Sequence, residues 1–153
     1  MNTNKNKDES QRVGKAVEAE KRQCYISSMR VIWNVPEYAD ADYVEGIAVF
    51  HNCLMFEHGW VEHEGIILDP TLPNDDLTYF AGLRFAGGLG IADALRIPKP
   101  SDVEDLPILN RFGWGGTESP EFRSARVAAL RYSGDERQAK RYEEWQALDA
   151  AEV

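Results

Sequence analysis

The sequence predicts a single α+β domain, and three observations carry that prediction. In CYISSMRVIWN the apolar residues Tyr25, Ile26, Met29, Ile32 and Trp33 recur at helical spacing. YVEGIAVF, HGWVEH and IILDPT are instead short runs rich in β-formers, punctuated by turn residues. Helical patterns return after residue 119. A chain of 153 residues, 43% of them hydrophobic, supplies one core and not two.

The elements follow in order. Residues 1–9 are polar and lack apolar periodicity, so they read as a disordered leader to a domain spanning 10–153. SQRVGKAVEAEKRQ is a helical approach. Cys24 then stands at the start of a buried helix, which Pro36 stops. YVEGIAVF at 43–50 is a strand; after a loop, Glu64 and Gly65 form a two-residue turn between HGWVEH and IILDPT. LTYFAGLRF is a further strand, interrupted at Gly82. AGGLGIADAL is a glycine-rich joint opening a helix that Pro98 and Pro100 terminate, which ends a core running from 23 to 97. Residues 101–118 form an irregular segment whose Leu, Ile, Phe and Trp side chains pack on the body. Ser119 before Pro120 reads as a helix N-cap, and SGDE at 133–136 as a capping box for a last helix bearing Tyr142, Trp145 and Leu148. The helical part spans 119–151.

Composition narrows the function. A formal charge of −9 argues against nucleic acid and anionic membranes as partners, because phosphate binding needs clustered Lys and Arg. A small molecule, or a neutral or basic protein, fits better. Residues 1–23 hold six Lys/Arg against four Asp/Glu, so a mildly basic arm precedes an acidic body. No apolar run approaches the ~20 residues that span a bilayer, and MNTNKNKDES lacks the apolar segment of a secretory signal. A cytoplasmic protein is expected. Its two cysteines, Cys24 and Cys53, imply no disulfide framework and are expected as free thiols.

The hairpin carries the chemistry. With Glu64 and Gly65 as the turn, His63 faces Ile66, Glu62 faces Ile67, Trp60 faces Asp69 and His58 faces Thr71. Side chains alternate, so His58 and Asp69 share a face as diagonal neighbours within reach of a hydrogen bond. A carboxylate beside an imidazole fixes its tautomer and stabilises its protonated form. Cys24 completes the set, since a helix N-terminus and a nearby imidazolium both favour thiolate. The helix-start N–H groups, including that of Tyr25, are placed to receive an oxyanion. Gln23 adjoins the nucleophile, and Trp60 shares the predicted face of His58 as a site wall. Tyr43 and Glu45 on the preceding strand also point toward this cleft.

The order of a helix-start Cys24, then HGW on one strand, then DPT closing the next resembles the transglutaminase-like branch of the papain-like cysteine enzymes, and is similar to arylamine acetyltransferases. The resemblance covers residues 23–71. It implies a papain-like or transglutaminase-like core, with Cys24 as nucleophile, His58 as general base and acid, and Asp69 as orienting residue. The implied activity is acyl transfer, of peptidase, amidase, deamidase or transglutaminase type, on a peptide, protein or small amide, with no metal or organic cofactor. Only 33 residues separate Cys24 from His58, which implies a minimal version. The order of CY, YVEG, HGW and DPT also resembles small phage or prophage-encoded proteins.

Other readings compete. A cysteine starting an apolar helix is commonly a small buried hydrophobe, and Asp before Pro commonly ends a strand by bonding local N–H groups. His51, Cys53, His58 and Cys24 offer a zinc set without paired CxxC spacing. Cys53 as nucleophile lacks a helix dipole. AGGLGIADAL sits where a phosphate-cradling loop belongs, but without a Walker lysine or a complete dinucleotide fingerprint. RFGWGGTESP reads as a packed connector or a ligand loop. From a different class comes a non-catalytic acidic binding or inhibitor protein, phage-encoded, that keeps the same fold and occupies a basic site on its partner.

Overall fold

The computed structural model describes residues 1–95, 105, 108 and 119–151. The helix terminators Pro98 and Pro100, the glycines at 113–116 and most of the 101–118 segment lie outside the described residues.

The architecture is α+β: two N-terminal helices, a four-stranded antiparallel sheet, then helices again. Helix α1 (Lys7–Ala16) and helix α2 (Cys24–Asn34) precede a single 3-10 turn at Pro36–Tyr38. Strands β1 (Asp42–Phe50), β2 (Leu54–His63), β3 (Ile66–Leu68) and β4 (Leu77–Ala86) lie in the order β3-β2-β1-β4. Helices α3 (Gly87–Leu95), α4 (Pro120–Tyr132) and α5 (Glu136–Ala151) complete the described chain. None is long and apolar enough to cross a membrane.

Turn chemistry sets the registers. Glu64 and Gly65 both have positive φ, at 52° and 78°, as a tight hairpin turn demands. They pair His63 with Ile66, Glu62 with Ile67 and Val61 with Leu68, the expected register. The sequence reading put a loop before HGWVEH, whereas β2 begins at Leu54 and forms a long hairpin with β1. His51 and Asn52, at φ 51° and 59°, turn that hairpin. Gly82 is a bulge, because Glu45 pairs with Leu83 while Gly46 pairs with Ala81.

Residues 1–9 require correction as a disordered leader. The N–H and C=O of Asn2 pair with Tyr79 on β4, while the Asn4 carbonyl and the Asn6 N–H bond to Ile67 on β3. These strands are the two edges of the sheet, so one short segment bridges both and closes the curved sheet on itself. Exposed strand edges leave backbone donors and acceptors unpaired, and polar residues without an apolar pattern satisfy them as well as any others. Asn6 then caps α1, its side chain accepting from the Glu9 N–H.

Two other expectations shift. The glycine-rich joint is the first turn of α3, with Gly87 at φ 63°, so it offers no phosphate-cradling loop. Ser119 does cap α4, accepting from the Phe122 N–H at 3.1 Å. The SGDE capping box is replaced by Asp135, which accepts from the Gln138 N–H at 3.1 Å, while Ser133 ends α4.

Two sides of the sheet bury different cores. Val44, Ala48, Trp60, Ile67, Leu77 and Tyr79 cluster on the concave side. Met29, Val31, Ile32, Tyr43, Val61 and Leu68 pack beneath α1, α2 and α3 on the other, and Ile47, Val49 and Phe80 meet Phe122 and Ala125 of α4. Gly46 sits where these layers leave no room: a Cβ there would lie 2.2 Å from the Phe80 carbonyl oxygen and 2.8 Å from the Trp60 ring. Gly46→Ala is therefore expected to destabilise the fold by roughly 1–3 kcal/mol through overpacking, read as a lower urea midpoint. An unchanged midpoint would contradict this packing.

Candidate active site

His58 points into the concave side from the middle of β2, with 3% of its surface exposed. Its ring is boxed by Phe56, Trp60 and Tyr79, with centroids 5.5, 6.2 and 6.5 Å away. Its Nε2 lies 2.8 Å from Oδ2 of Asp69, which is wholly buried.

Asp69 serves two purposes, one with each oxygen. Oδ2 takes His58 and the Tyr79 hydroxyl, the latter donating at 2.7 Å. Oδ1 accepts from the Leu72 N–H at 3.1 Å and more weakly from the Thr71 hydroxyl at 3.4 Å, which holds the turn after β3. The local-turn reading and the histidine-partner reading of DPT thus hold together. Helix α1 fixes the residue from behind: the Asp69 N–H donates to Ser10 Oγ at 3.0 Å. Gly14 permits the close approach, since a Cβ there would come 2.6 Å from the Pro70 oxygen.

Burial disfavours both charges, yet pairing outweighs it. Desolvation alone would depress the His58 pKa; the charge and hydrogen bond of Asp69, with those of Cys24 after them, raise it instead to about 10. Desolvation would raise Asp69, and His58, Tyr79 and Lys5 hold it below the usual carboxylate range. The pairing favours the imidazolium form of His58 at neutral pH. With Nε2 engaged by Asp69, Nδ1 is the ring nitrogen not bonded to the carboxylate.

Cys24 is the first residue of α2 and is half-buried. Gly59 lets the helix sit this close to β2: a Cβ there would be 2.8 Å from the Tyr25 ring, and Ser28 Oγ donates to the Gly59 carbonyl at 3.1 Å. In HGW, then, the histidine shares a pocket with the cysteine and the glycine admits the helix that carries it. A pocket of about 620 Å³ opens over both, walled by Tyr25, Phe56 and Leu72 among others.

The expected supporting residues fare unevenly. Tyr25 lines the pocket. Its N–H is not open to an oxyanion, because it and the Ile26 N–H donate to Asp105 Oδ1 at 3.0 and 3.1 Å. The Cys24 N–H is left as the first-turn donor without a hydrogen-bond partner among the described residues. Gln23 is the N-cap but makes no side-chain cap bond and does not line the pocket. Trp60 is no site wall: it is fully buried, stacked beside His58, with Nε1 donating to Glu62 at 3.2 Å. Tyr43 and Glu45 are also buried away from the pocket, where the Tyr43 hydroxyl and the Ile108 N–H donate to Glu45 at 2.5 and 2.7 Å. Cys53 is exposed in the β1–β2 turn, and no group of three or more His, Cys, Asp or Glu among the described residues forms a metal site.

Lys5 was missed by sequence reasoning. Its Nζ donates to the Leu72 carbonyl at 2.8 Å and to that of Asp75, and it lies over the Tyr79 ring, 5.5 Å from its centroid. Burial lowers its pKa, while Asp69 and Asp75 oppose that fall. It braces the 72–75 wall of the pocket. A lysine in a polar leader carries no sequence signal for such a role. The same is true of Asp105, 80 residues beyond Tyr25.

No family model, curated protein or solved structure matches the chain. The site is therefore read from its own geometry.

The His58–Asp69 pair makes stability depend on pH. His58, raised to about 10, contributes fully below its ordinary value of 6.5 and loses that contribution as pH rises through 10. Asp69, lowered, contributes above an ordinary value of ~3.9 and loses it as pH falls through its folded value. The stability difference between wild type and His58→Gln is expected to be largest between about pH 4 and 6.5 and to shrink toward pH 10. Urea unfolding across this range checks it; a flat difference would contradict an ion-paired His58.

Proposed function

We propose that this chain is a small cysteine acyl-transfer enzyme of the transglutaminase-like or papain-like type, with Cys24 as nucleophile, His58 as acid and base, and Asp69 as the orienting carboxylate. The observation that carries this reading is the pocket in which a helix-start cysteine meets an imidazolium whose far nitrogen is held by a buried carboxylate.

The chemistry follows from the proton inventory. Thiolate at Cys24 attacks a carbonyl carbon, forming a C–S bond, and the carbonyl oxygen gains charge that the Cys24 N–H and the positive end of α2 receive. As the tetrahedral adduct collapses, the bond to the leaving amine breaks and His58 Nδ1 supplies its proton. His58 is now neutral and accepts a proton from water or an incoming amine, which attacks the thioester and releases Cys24 as thiolate beside a restored imidazolium. Asp69 keeps the imidazole in place throughout without taking the proton. Peptides, proteins or small amides are the donors; water or an amine is the acceptor.

Mass-spectrometric labelling with iodoacetamide near neutral pH tests the reading, with Cys53 as the internal reference. Cys24 is expected to react about tenfold faster than Cys53, and to slow by a similar factor in His58→Ala and Asp69→Asn, since reactivity follows thiolate fraction. Slow labelling of Cys24 in all three proteins would overturn it. It would favour an acidic binding protein, in which the charge of −9 and not the thiol matters.

A further inference from the structure

Resting on the reading of Cys24 as nucleophile, we propose that the pocket selects an acyl donor bearing a carboxylate near the scissile carbonyl, seated on Lys21 and Arg22.

Both side chains line the pocket and both are exposed, two and three residues before the nucleophile. Neither makes an ion pair among the described residues. Acidic groups outnumber basic ones by 26 to 17 in the chain, and five of its Lys and Arg side chains are ion-paired among the described residues. Lys7 is paired with Asp76, Arg12 with Glu9 and Glu37, Arg84 with Glu62, and Arg131 with Glu136 and Glu143. Two carboxylates line the same pocket. Glu57 lies 2.9 Å from Arg126, and Asp75 acts on Lys5 electrostatically without an ion pair among the described residues. The charge of His58 is matched by Asp69. Among the described residues, Lys21 and Arg22 are the Lys and Arg side chains of the pocket lining, and both are without an ion pair.

Arg22 is held at φ 71° in the turn that leads into α2. Elsewhere in the lining, Phe56, Leu72 and Pro73 provide apolar surface. The complementary ligand therefore has a short apolar stem and one acidic end. A body carrying −9 repels anions at long range, so recognising one requires local cations at the mouth of the site.

Three methanethiosulfonate reagents test this: neutral methyl, anionic sulfonatoethyl and cationic trimethylammonioethyl. Their rates at Cys24 are measured by mass spectrometry in wild type, Lys21→Gln/Arg22→Gln and His58→Gln, with Cys53 as the internal reference. Wild type is expected to favour the anionic over the cationic reagent at Cys24 by about tenfold, the scale of local field focusing. The double variant should lose most of that preference while its neutral-reagent rate stays within about twofold, because exposed side chains removed from the rim leave the packing intact. Equal charge preference in wild type and double variant, or a cationic preference in wild type, would overturn the proposal. The neutral rate in His58→Gln reads the other claim separately: a fall supports thiol activation by His58, and an unchanged rate overturns the acyl-transfer reading whatever the charge preference.

Discussion

A carboxylate with no exposed surface is costly unless every lone pair is met, and Asp69 meets its requirement by drawing partners from four parts of the chain. Strand β2 brings His58, strand β4 brings Tyr79, the turn after β3 brings Leu72 and Thr71, and helix α1 bonds the backbone through Ser10. Each donor holds the charge in place, and the charge in turn holds each element against the others. The raised proton affinity of His58 is a consequence of this arrangement, because a well-solvated aspartate would couple to the ring far more weakly. The placement of Cys24 is a separate matter of packing, decided where Gly59 lets α2 reach β2.

The N-terminal segment contributes more than its composition suggests. It joins both sheet edges through backbone hydrogen bonds, caps α1 with Asn6, and sends Lys5 across Tyr79 to the carbonyls of the 72–75 wall. One stretch of chain thus closes the sheet, starts the helix that supports Asp69 and shapes the pocket. Rearranging it would be felt at His58 without any change in the residues that surround the sulfur.

How much of this was legible depends on which forces wrote it. The His58–Asp69 juxtaposition was readable because a Glu64-Gly65 turn leaves one register and alternation does the rest. Cys24 at the start of α2 was readable from helical periodicity. The ordered leader was not, because its contacts run through backbone amides that any sequence possesses. Asp105 on the α2 N-terminus was not, because nothing local connects residues 80 apart. Trp60 was assigned to the right face and the wrong role: alternation says which side a residue faces, and only packing says how deep it lies. The glycines of α3 misled because a helix starting directly at a strand end has the same composition as a joint.

Asp69 and Cys24 together sustain the imidazolium form of the buried His58. Heteronuclear NMR of the His58 ring nitrogens between pH 5 and 11 tests it most directly, with Cys24→Ser and Asp69→Asn alongside wild type. Both nitrogens of wild-type His58 are expected to stay protonated through neutral pH, with titration near 10 that each substitution lowers. A ring that titrates near its ordinary 6.5, unmoved by either change, would contradict it.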